Sequence, residues 1–139
     1  MTATQPHAVG VPGYSETWPC ELESAGRARG LVRAALNTWG LGQLVGDGTL
    51  IVSELVGNAA QHSGSHLVRV SVTLVSPSRV RLGVTDKSTT PPEMHHPPLT
   101  AIEGRGLLVV DGVAEQWGTD IRRWGKVVWA ELSVSKGQL

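Results

Sequence analysis

Apolar residues recur with the period of an α-helix in two stretches of the first half of the chain. The first stretch begins after Ser24, a predicted N-cap, and Gly40 is placed to end it. The second begins between Asp47 and Thr49 and ends at Gly64. Spacings of three and four residues put the apolar side chains of each stretch on one face, as in an amphipathic helix. The two apolar stripes are Ala28, Leu31, Val32, Ala35, Leu36 and Trp39 in the first helix, and Val52, Leu55, Val56 and Ala59 in the second.

Alternation of apolar and polar residues predicts three strands farther along the chain, two of them joined by the turn at residues 76–78. A shorter strand is expected near residues 115–119. Another is expected near residues 17–22, at a sheet edge, because Pro19 cannot donate a ladder hydrogen bond. Trp129 falls on the outer face of the last strand, where a helix or a partner has room to cover it. The apolar faces of the three strands are Val68, Val70, Val72 and Leu74, then Val80, Leu82 and Val84, then Val128, Ala130, Leu132 and Val134.

The remaining segments divide the chain into a tail and one domain. Residues 1–15 carry no Lys, Arg, Asp or Glu and are predicted to be a flexible tail, whereas residues 16–139 have the length of a single domain. A third helix is expected after Gly106, beyond a proline-rich loop at residues 87–103. This order of elements predicts an α/β (α+β) two-layer sandwich, with about three helices on one face of a mixed, mainly antiparallel sheet.

Composition excludes several classes of protein. Twelve basic and twelve acidic residues give a formal charge of zero, which argues against a dedicated nucleic-acid-binding protein. No apolar run approaches the roughly 20 residues that cross a bilayer, so no membrane partner is expected. The first fifteen residues lack the charged start and apolar core of a secretory signal. Cys20 is the only cysteine, so the expected compartment is the reducing cytoplasm.

A first candidate site lies on the second helix. Glu54, Asn58 and His62 are four residues apart, so they share one edge of the helix, away from the apolar stripe. The oxygen of Asn58 suits a magnesium ion that takes its other ligands from water and phosphates. Glu54 is placed to deprotonate a group that attacks a phosphate. The same pattern also fits a solvated polar face, and His62 fits an ordinary residue at a helix end.

A second candidate is Asp86, which follows the predicted strand with the same parity as Val80, Leu82 and Val84. Its carboxylate should therefore point into the core-facing side, where it requires hydrogen-bond donors. The exocyclic amine of adenine is such a donor. Asp86 is equally suited to cap the turn that contains Ser88.

The third candidate is the segment Gly104, Arg105, Gly106 and Leu107, which precedes the third predicted helix. Backbone N–H groups at a helix start can hold phosphate oxygens, and glycine permits close approach. A flexible hinge and a solvated arginine explain the same residues. Lys126 opens the last strand, where it either reaches a phosphate or protects a strand edge from unwanted pairing.

In this order and spacing, the three segments resemble the conserved boxes of the GHKL (Bergerat-fold) ATPases. The similarity is greatest to their small single-domain branch, the anti-sigma-factor serine-protein kinases. Residues 53–62 resemble the N box, Asp86–Ser88 the first glycine box and residues 104–110 the second, while residues 117–132 resemble that branch's closing strands. Together the similar segments extend over roughly residues 17–134.

The resemblance implies a Bergerat ATP-binding fold that binds ATP with Mg²⁺. It implies Asn58 as the metal contact, Glu54 as the catalytic base, Asp86 as the adenine reader and residues 104–107 as part of the phosphate loop. Members of this branch phosphorylate a serine of a STAS-type antagonist, hold a sigma factor inactive, and often form homodimers. These partners are the ones expected here.

One position departs from the family pattern. The first glycine box usually reads Asp-x-Gly, and this chain has Ser88 in place of the glycine. Serine adopts positive φ less readily than glycine. The sequence therefore leaves three functions open. The chain is an ATP-dependent serine kinase, a non-catalytic ATP-binding protein that sequesters a transcriptional regulator, or an α/β adaptor without a nucleotide site.

Overall fold

The domain is described by a computed structural model in which residues 5–6, 12–88 and 106–134 are defined. Within these ranges the chain forms one sheet, three α-helices and a short 3-10 helix. The strands are β1 (Gln5–Pro6), β2 (Gly13–Pro19), β3 (Leu67–Ser76), β4 (Arg79–Asp86), β5 (Gln116–Arg122) and β6 (Gly125–Ser133). The helices are α1 (Ser24–Thr38), α2 (Val45–His62) and α3 (Gly106–Val113), and the 3-10 helix is Gly42–Leu44.

The sheet has the strand order β1-β2-β3-β4-β6-β5. Each neighbouring pair of described strands is antiparallel. The sequence predicted a mixed, mainly antiparallel sheet, and the described part of the sheet is antiparallel throughout. β1 pairs only with Tyr14 and Ser15, so among the described strands the end of β2 at residues 16–19 pairs with β3 alone and lies at a sheet edge, as Pro19 predicts. Pro19 is the last residue of β2, opposite Leu67, so its missing N–H falls where the ladder ends.

The core lies between the helices and one face of the sheet. All four apolar residues of the α2 stripe are buried, as are most residues of the predicted strand faces. α2 is the central helix, since it packs against α1 on one side and α3 on the other, and it contacts β4 and β6. The predicted two-layer α/β sandwich is therefore confirmed. The strand residues with at most 1% of their surface exposed are Val68, Val70, Val72, Val80, Leu82, Val84 and Ala130.

The ends of α1 show one error and one success of the sequence prediction. Ser24 is the first residue of the helix and Glu23 occupies the N-cap position, so the predicted cap is wrong. The Ser24 hydroxyl instead donates to the carbonyl of Pro19 at 2.6 Å, which ties the start of α1 to the end of β2. Gly40 ends the helix as predicted, with a φ of 73° that favours glycine.

α2 begins at Val45, two residues before the predicted range, because the 3-10 helix leads directly into it. Gly64 follows its end with a φ of 67°, as the sequence indicates. None of the helices in the described ranges is long and apolar enough to cross a membrane.

Candidate functional site

Asp86 lies at the end of β4 with its side chain on the core-facing side of the sheet. Only 3% of the residue is exposed, and it continues the buried positions Leu82 and Val84, which confirms the parity argument. Its Oδ1 accepts a hydrogen bond from the backbone N–H of Ser88 at 2.8 Å. The inward orientation and the turn-capping role, which are alternatives in the sequence, therefore coexist in the structure.

Lys126 is the second donor to the same carboxylate oxygen. Its Nζ lies 3.0 Å from Asp86 Oδ1, and the two residues are directly opposite in the β4–β6 register. Lys126 is only 4% exposed. Because β6 has neighbours on both sides, the explanation that Lys126 protects a strand edge is wrong. The predicted phosphate contact stays a prediction, and the structure places the ammonium group on Asp86.

Sequence reasoning missed this ion pair, although a signal for it was present. Lys126 has the same parity as Val128 and Ala130, so its side chain belongs on the core-facing side of β6. A buried ammonium group requires an acceptor. A lysine and an aspartate that both point to the same face of one sheet were therefore candidates for an ion pair with each other.

The β5–β6 turn lies directly against the end of β4. A Cβ built on Gly125 would be 2.1 Å from the carbonyl oxygen of Asp86 and 2.7 Å from the Cα of Lys87. Only glycine allows such an approach of two backbones. The close contact fixes the start of β6, and with it the backbone that carries Lys126, relative to Asp86.

The predicted polar edge of α2 is present. Glu54 and Asn58 are half-buried and His62 is exposed, while Leu55 and Val56 between them are buried in the core. Glu54 and Asn58 place a carboxylate and an amide one helical turn apart on a partly solvated edge. These oxygen donors match the preference of magnesium, which takes one or two protein ligands beside water and phosphate oxygens.

The C-terminal end of α2 and the end of β4 lie at the same end of the domain. The loop after α2 reaches the end of β4, where the N–H of Lys87 is 3.4 Å from the Oγ of Ser65. His62, the last residue of α2, therefore lies in the part of the domain that contains Asp86. The described residues contain no cluster of three or more His, Cys, Asp or Glu side chains that could hold a metal by themselves.

The glycine segment falls partly outside the described residues. Gly104 and Arg105 are not described, whereas Gly106 is the first residue of α3 and Leu107 is buried in the core at 2% exposure. α3 packs against α2, the helix that carries Asn58. The side chain of Leu107 belongs to the core, so any phosphate contact at this position would come from its backbone N–H.

Comparison with known proteins adds to this geometry. The family model described as "Histidine kinase-like ATPase domain" matches residues 18–132. A sequence comparison with curated proteins finds no match.

Two solved structures have a similar fold. One contains the RsbU and RsbW domains of Rv1364c from Mycobacterium tuberculosis, with a TM-score of 0.65 and 18% identity over 90% of this chain and 33% of that chain. The other is the histidine kinase domain of the Erythrobacter litoralis EL346 blue-light activated histidine kinase, with a TM-score of 0.51 and 21% identity over 86% of this chain and 63% of that chain. This chain thus spans less than two thirds of either structure.

Proposed function

Because the chain belongs to the histidine kinase-like ATPase domain family, whose fold binds ATP, we propose that it is a regulatory serine-protein kinase of the anti-sigma-factor type. It would use ATP with Mg²⁺, phosphorylate a serine of a STAS-type protein and sequester a sigma factor. The resemblance of its three boxes to that branch supports this choice. So does the fold it shares with a Mycobacterium tuberculosis protein that contains an RsbW domain.

The observation that carries the proposal is the burial of Asp86 at the end of β4, at the end of the domain where α2 also terminates. Because Lys126 already balances the charge of this buried carboxylate, a ligand that offers a neutral hydrogen-bond donor suits it better than a second cation. The 6-amine of adenine is such a donor, whereas the 6-keto group of guanine is an acceptor. Adenine would therefore bind at Asp86, and its phosphates would extend toward α2 and the start of α3.

The residues of α2 would act on the phosphates. Asn58 would hold Mg²⁺ through its amide oxygen, and the bound ion would neutralise charge on the phosphate oxygens. Glu54 would accept the proton of the substrate serine while the serine oxygen forms a bond to the γ-phosphorus. The bond between that phosphorus and the β–γ bridging oxygen breaks, and ADP leaves with the electron pair. Backbone N–H groups of residues 104–107 would bind the phosphates.

A non-catalytic ATP-binding protein that sequesters a transcriptional regulator is the second candidate. Ser88 at the position of a family glycine favours it. Serine has less backbone freedom than glycine, and the backbone N–H of Ser88 is fixed by its hydrogen bond to Asp86, so the approach of the backbone to the nucleotide would differ from that in catalytic members. This candidate shares the nucleotide site with the first and differs from it only in phosphoryl transfer.

Binding and transfer should be measured separately. Titration calorimetry with ATP and Mg²⁺ should show binding to the wild-type protein, and Asn58→Ala should abolish its Mg²⁺-dependent part. Asn37→Ala is the matched control, because Asn37 is an exposed asparagine on α1, and it should bind like the wild type. No binding heat under saturating conditions would refute both candidates and leave the adaptor without a nucleotide site.

Transfer of labelled phosphate to STAS-domain proteins then separates the two candidates. Glu54→Gln keeps the size of the side chain and removes the base, so it should bind ATP within about threefold of the wild type and transfer at least about a hundredfold more slowly. A wild-type protein that binds ATP and a sigma factor without transferring phosphate would favour the non-catalytic candidate.

A further inference from the structure

A buried ion pair lies at the end of the site where the base would bind. Asp86 and Lys126 are 3% and 4% exposed, and Lys126 Nζ lies 3.0 Å from Asp86 Oδ1. The backbone N–H of Ser88 donates to the same oxygen. Oδ1 is thus held by two donors, one from the turn after β4 and one from the facing strand, and this fixes the orientation of the carboxylate.

The ion pair should persist when a nucleotide binds. A carboxylate that loses its only charged partner in a buried position becomes strongly unfavourable. The amine of adenine is neutral, so it can add a hydrogen bond to Asp86 without replacing the charge of Lys126. A base that reaches Asp86 therefore meets an acceptor and a donor side by side.

Adenine has the complementary edge. Its 6-amine donates, and the neighbouring ring nitrogen N1 accepts. A lysine ammonium group has three N–H donors, and the contact with Asp86 Oδ1 uses one of them. We propose that Lys126 is a base-specificity residue that donates a hydrogen bond to N1 of adenine, while Asp86 accepts from the 6-amine. This inference rests on the proposed function, because it assigns a partner within the same nucleotide site.

The pair would also reject guanine in the same pose. Guanine would present its keto oxygen to the carboxylate of Asp86 and its N1–H donor to the ammonium group of Lys126. Both contacts would then join groups of the same hydrogen-bonding type, and unpaired buried polar groups are costly. Lys126 thus adds a second point of base discrimination to the one supplied by Asp86.

The direct test compares nucleotides on the unmodified protein by titration calorimetry with Mg²⁺. In 1-deaza-ATP, a C–H group replaces N1 and the 6-amine is retained, so it should bind at least about tenfold more weakly than ATP, the loss of one hydrogen bond to a charged group. In 7-deaza-ATP the change lies on the other ring, and it should bind within about threefold of ATP.

Each result decides a different claim. Equal binding of ATP and 1-deaza-ATP would overturn this inference and leave the proposed function intact. Weak binding of 7-deaza-ATP with normal binding of 1-deaza-ATP would overturn the assignment to N1. Absence of ATP binding would overturn the proposed function and this inference with it.

A variant links the effect to Lys126. Lys126→Met keeps the length of the side chain without its donors, so the ATP to 1-deaza-ATP affinity ratio should fall from about tenfold to about one. If Lys126→Met does not fold, Asp86→Asn with Lys126→Met removes both charges together, a change that buried ion pairs often tolerate. Its ratio should also be about one. A ratio that stays near tenfold in a folded variant would contradict the role of Lys126.

Discussion

The guanidinium carbon of Arg81 lies 4.1 Å from the centroid of the Trp129 ring, on the sheet face opposite the helices. The ring also lies against the backbone of Gly118, which is directly opposite Trp129 in the β5–β6 register. A Cβ on Gly118 would be 2.9 Å from Cζ2 of the ring. The lack of a side chain at position 118 therefore allows the ring to lie where Arg81 covers it.

Gly118→Ala should destabilise the protein, because the added methyl group requires the Trp129 ring to move away from β5. The ring cannot yield without disturbing its contact with Arg81. We expect the free energy of unfolding to fall by about 1–3 kcal/mol, as for other overpacked sites, in urea denaturation followed by circular dichroism.

The double variant Gly118→Ala with Trp129→Leu is the control, since the smaller side chain leaves room for the methyl group. In the Trp129→Leu background, the alanine should cost less than about 0.5 kcal/mol. An equal cost in both backgrounds would show that the ring is not the obstacle.

The sequence predicted the elements well, because the periods of 3.6 and two residues follow directly from burial on one side of a helix or strand. The stripe around Leu55 and the inward position of Asp86 both follow from such periods. Contacts that depend on strand order were missed. β4 and β6 are neighbours in the sheet but are separated by α3 and β5 in the chain, so the partner of Asp86 was not evident from local spacing.

The same limit applies to the outer face of the sheet. The sequence predicted that a helix or a partner covers the Trp129 ring, whereas in the structure Arg81 of the adjacent strand covers it. The hydroxyl of Ser24 fits an N-cap by residue type, and only the fold shows that the carbonyl of Pro19 lies within its reach. Residue type thus predicted that a polar group needs a partner, and the three-dimensional arrangement decided which one.

Glu131 is a buried carboxylate on this outer face, at 6% exposure, and both its oxygens bind arginines. Oε1 accepts from Arg79 Nε at 2.8 Å and Oε2 from Arg81 Nε at 2.7 Å. Burial alone would raise the pKa of Glu131, but the hydrogen bonds from Arg79 and Arg81 outweigh it and hold the pKa below its usual range. A depressed pKa means that Glu131 stabilises the folded state above its unfolded pKa of about 4.3 and that this contribution is lost as the pH falls below it.

Glu131→Gln should therefore lower the free energy of unfolding by about 1–3 kcal/mol at pH 7, because a neutral amide weakens two charge-assisted hydrogen bonds. The difference from the wild type should shrink as the pH falls from 5 toward 3, within the acid window that the depressed pKa defines. Urea denaturation at several pH values would measure it. Glu21→Gln, at an exposed position, should change stability by less than about 0.5 kcal/mol throughout. A Glu131→Gln deficit that stays constant with pH would contradict the assigned role.

Gly125 is the glycine whose replacement should affect the fold and the site together. Its φ is 157°. An added Cβ would lie 2.1 Å from the Asp86 carbonyl oxygen, so there is no room for a side chain. The three nearest atoms all belong to the backbone of Asp86 and Lys87, so no change of rotamer relieves the clash. Gly125→Ala should lower the free energy of unfolding by about 3 kcal/mol or more and weaken ATP binding, because β6 must shift and carry Lys126 away from Asp86.

Gly112→Ala is the matched comparison for Gly125→Ala. Gly112 lies within α3, and a Cβ there would meet no atom within 4 Å. Alanine should raise the free energy of unfolding by about 0.5–1 kcal/mol at that position, because it restricts the unfolded chain and favours the helix. The two variants make the same chemical change with opposite expected signs in urea denaturation. If Gly125→Ala were as stable as Gly112→Ala, the β5–β6 turn could not lie against the end of β4, and the geometry that joins Lys126 to Asp86 would have to be abandoned.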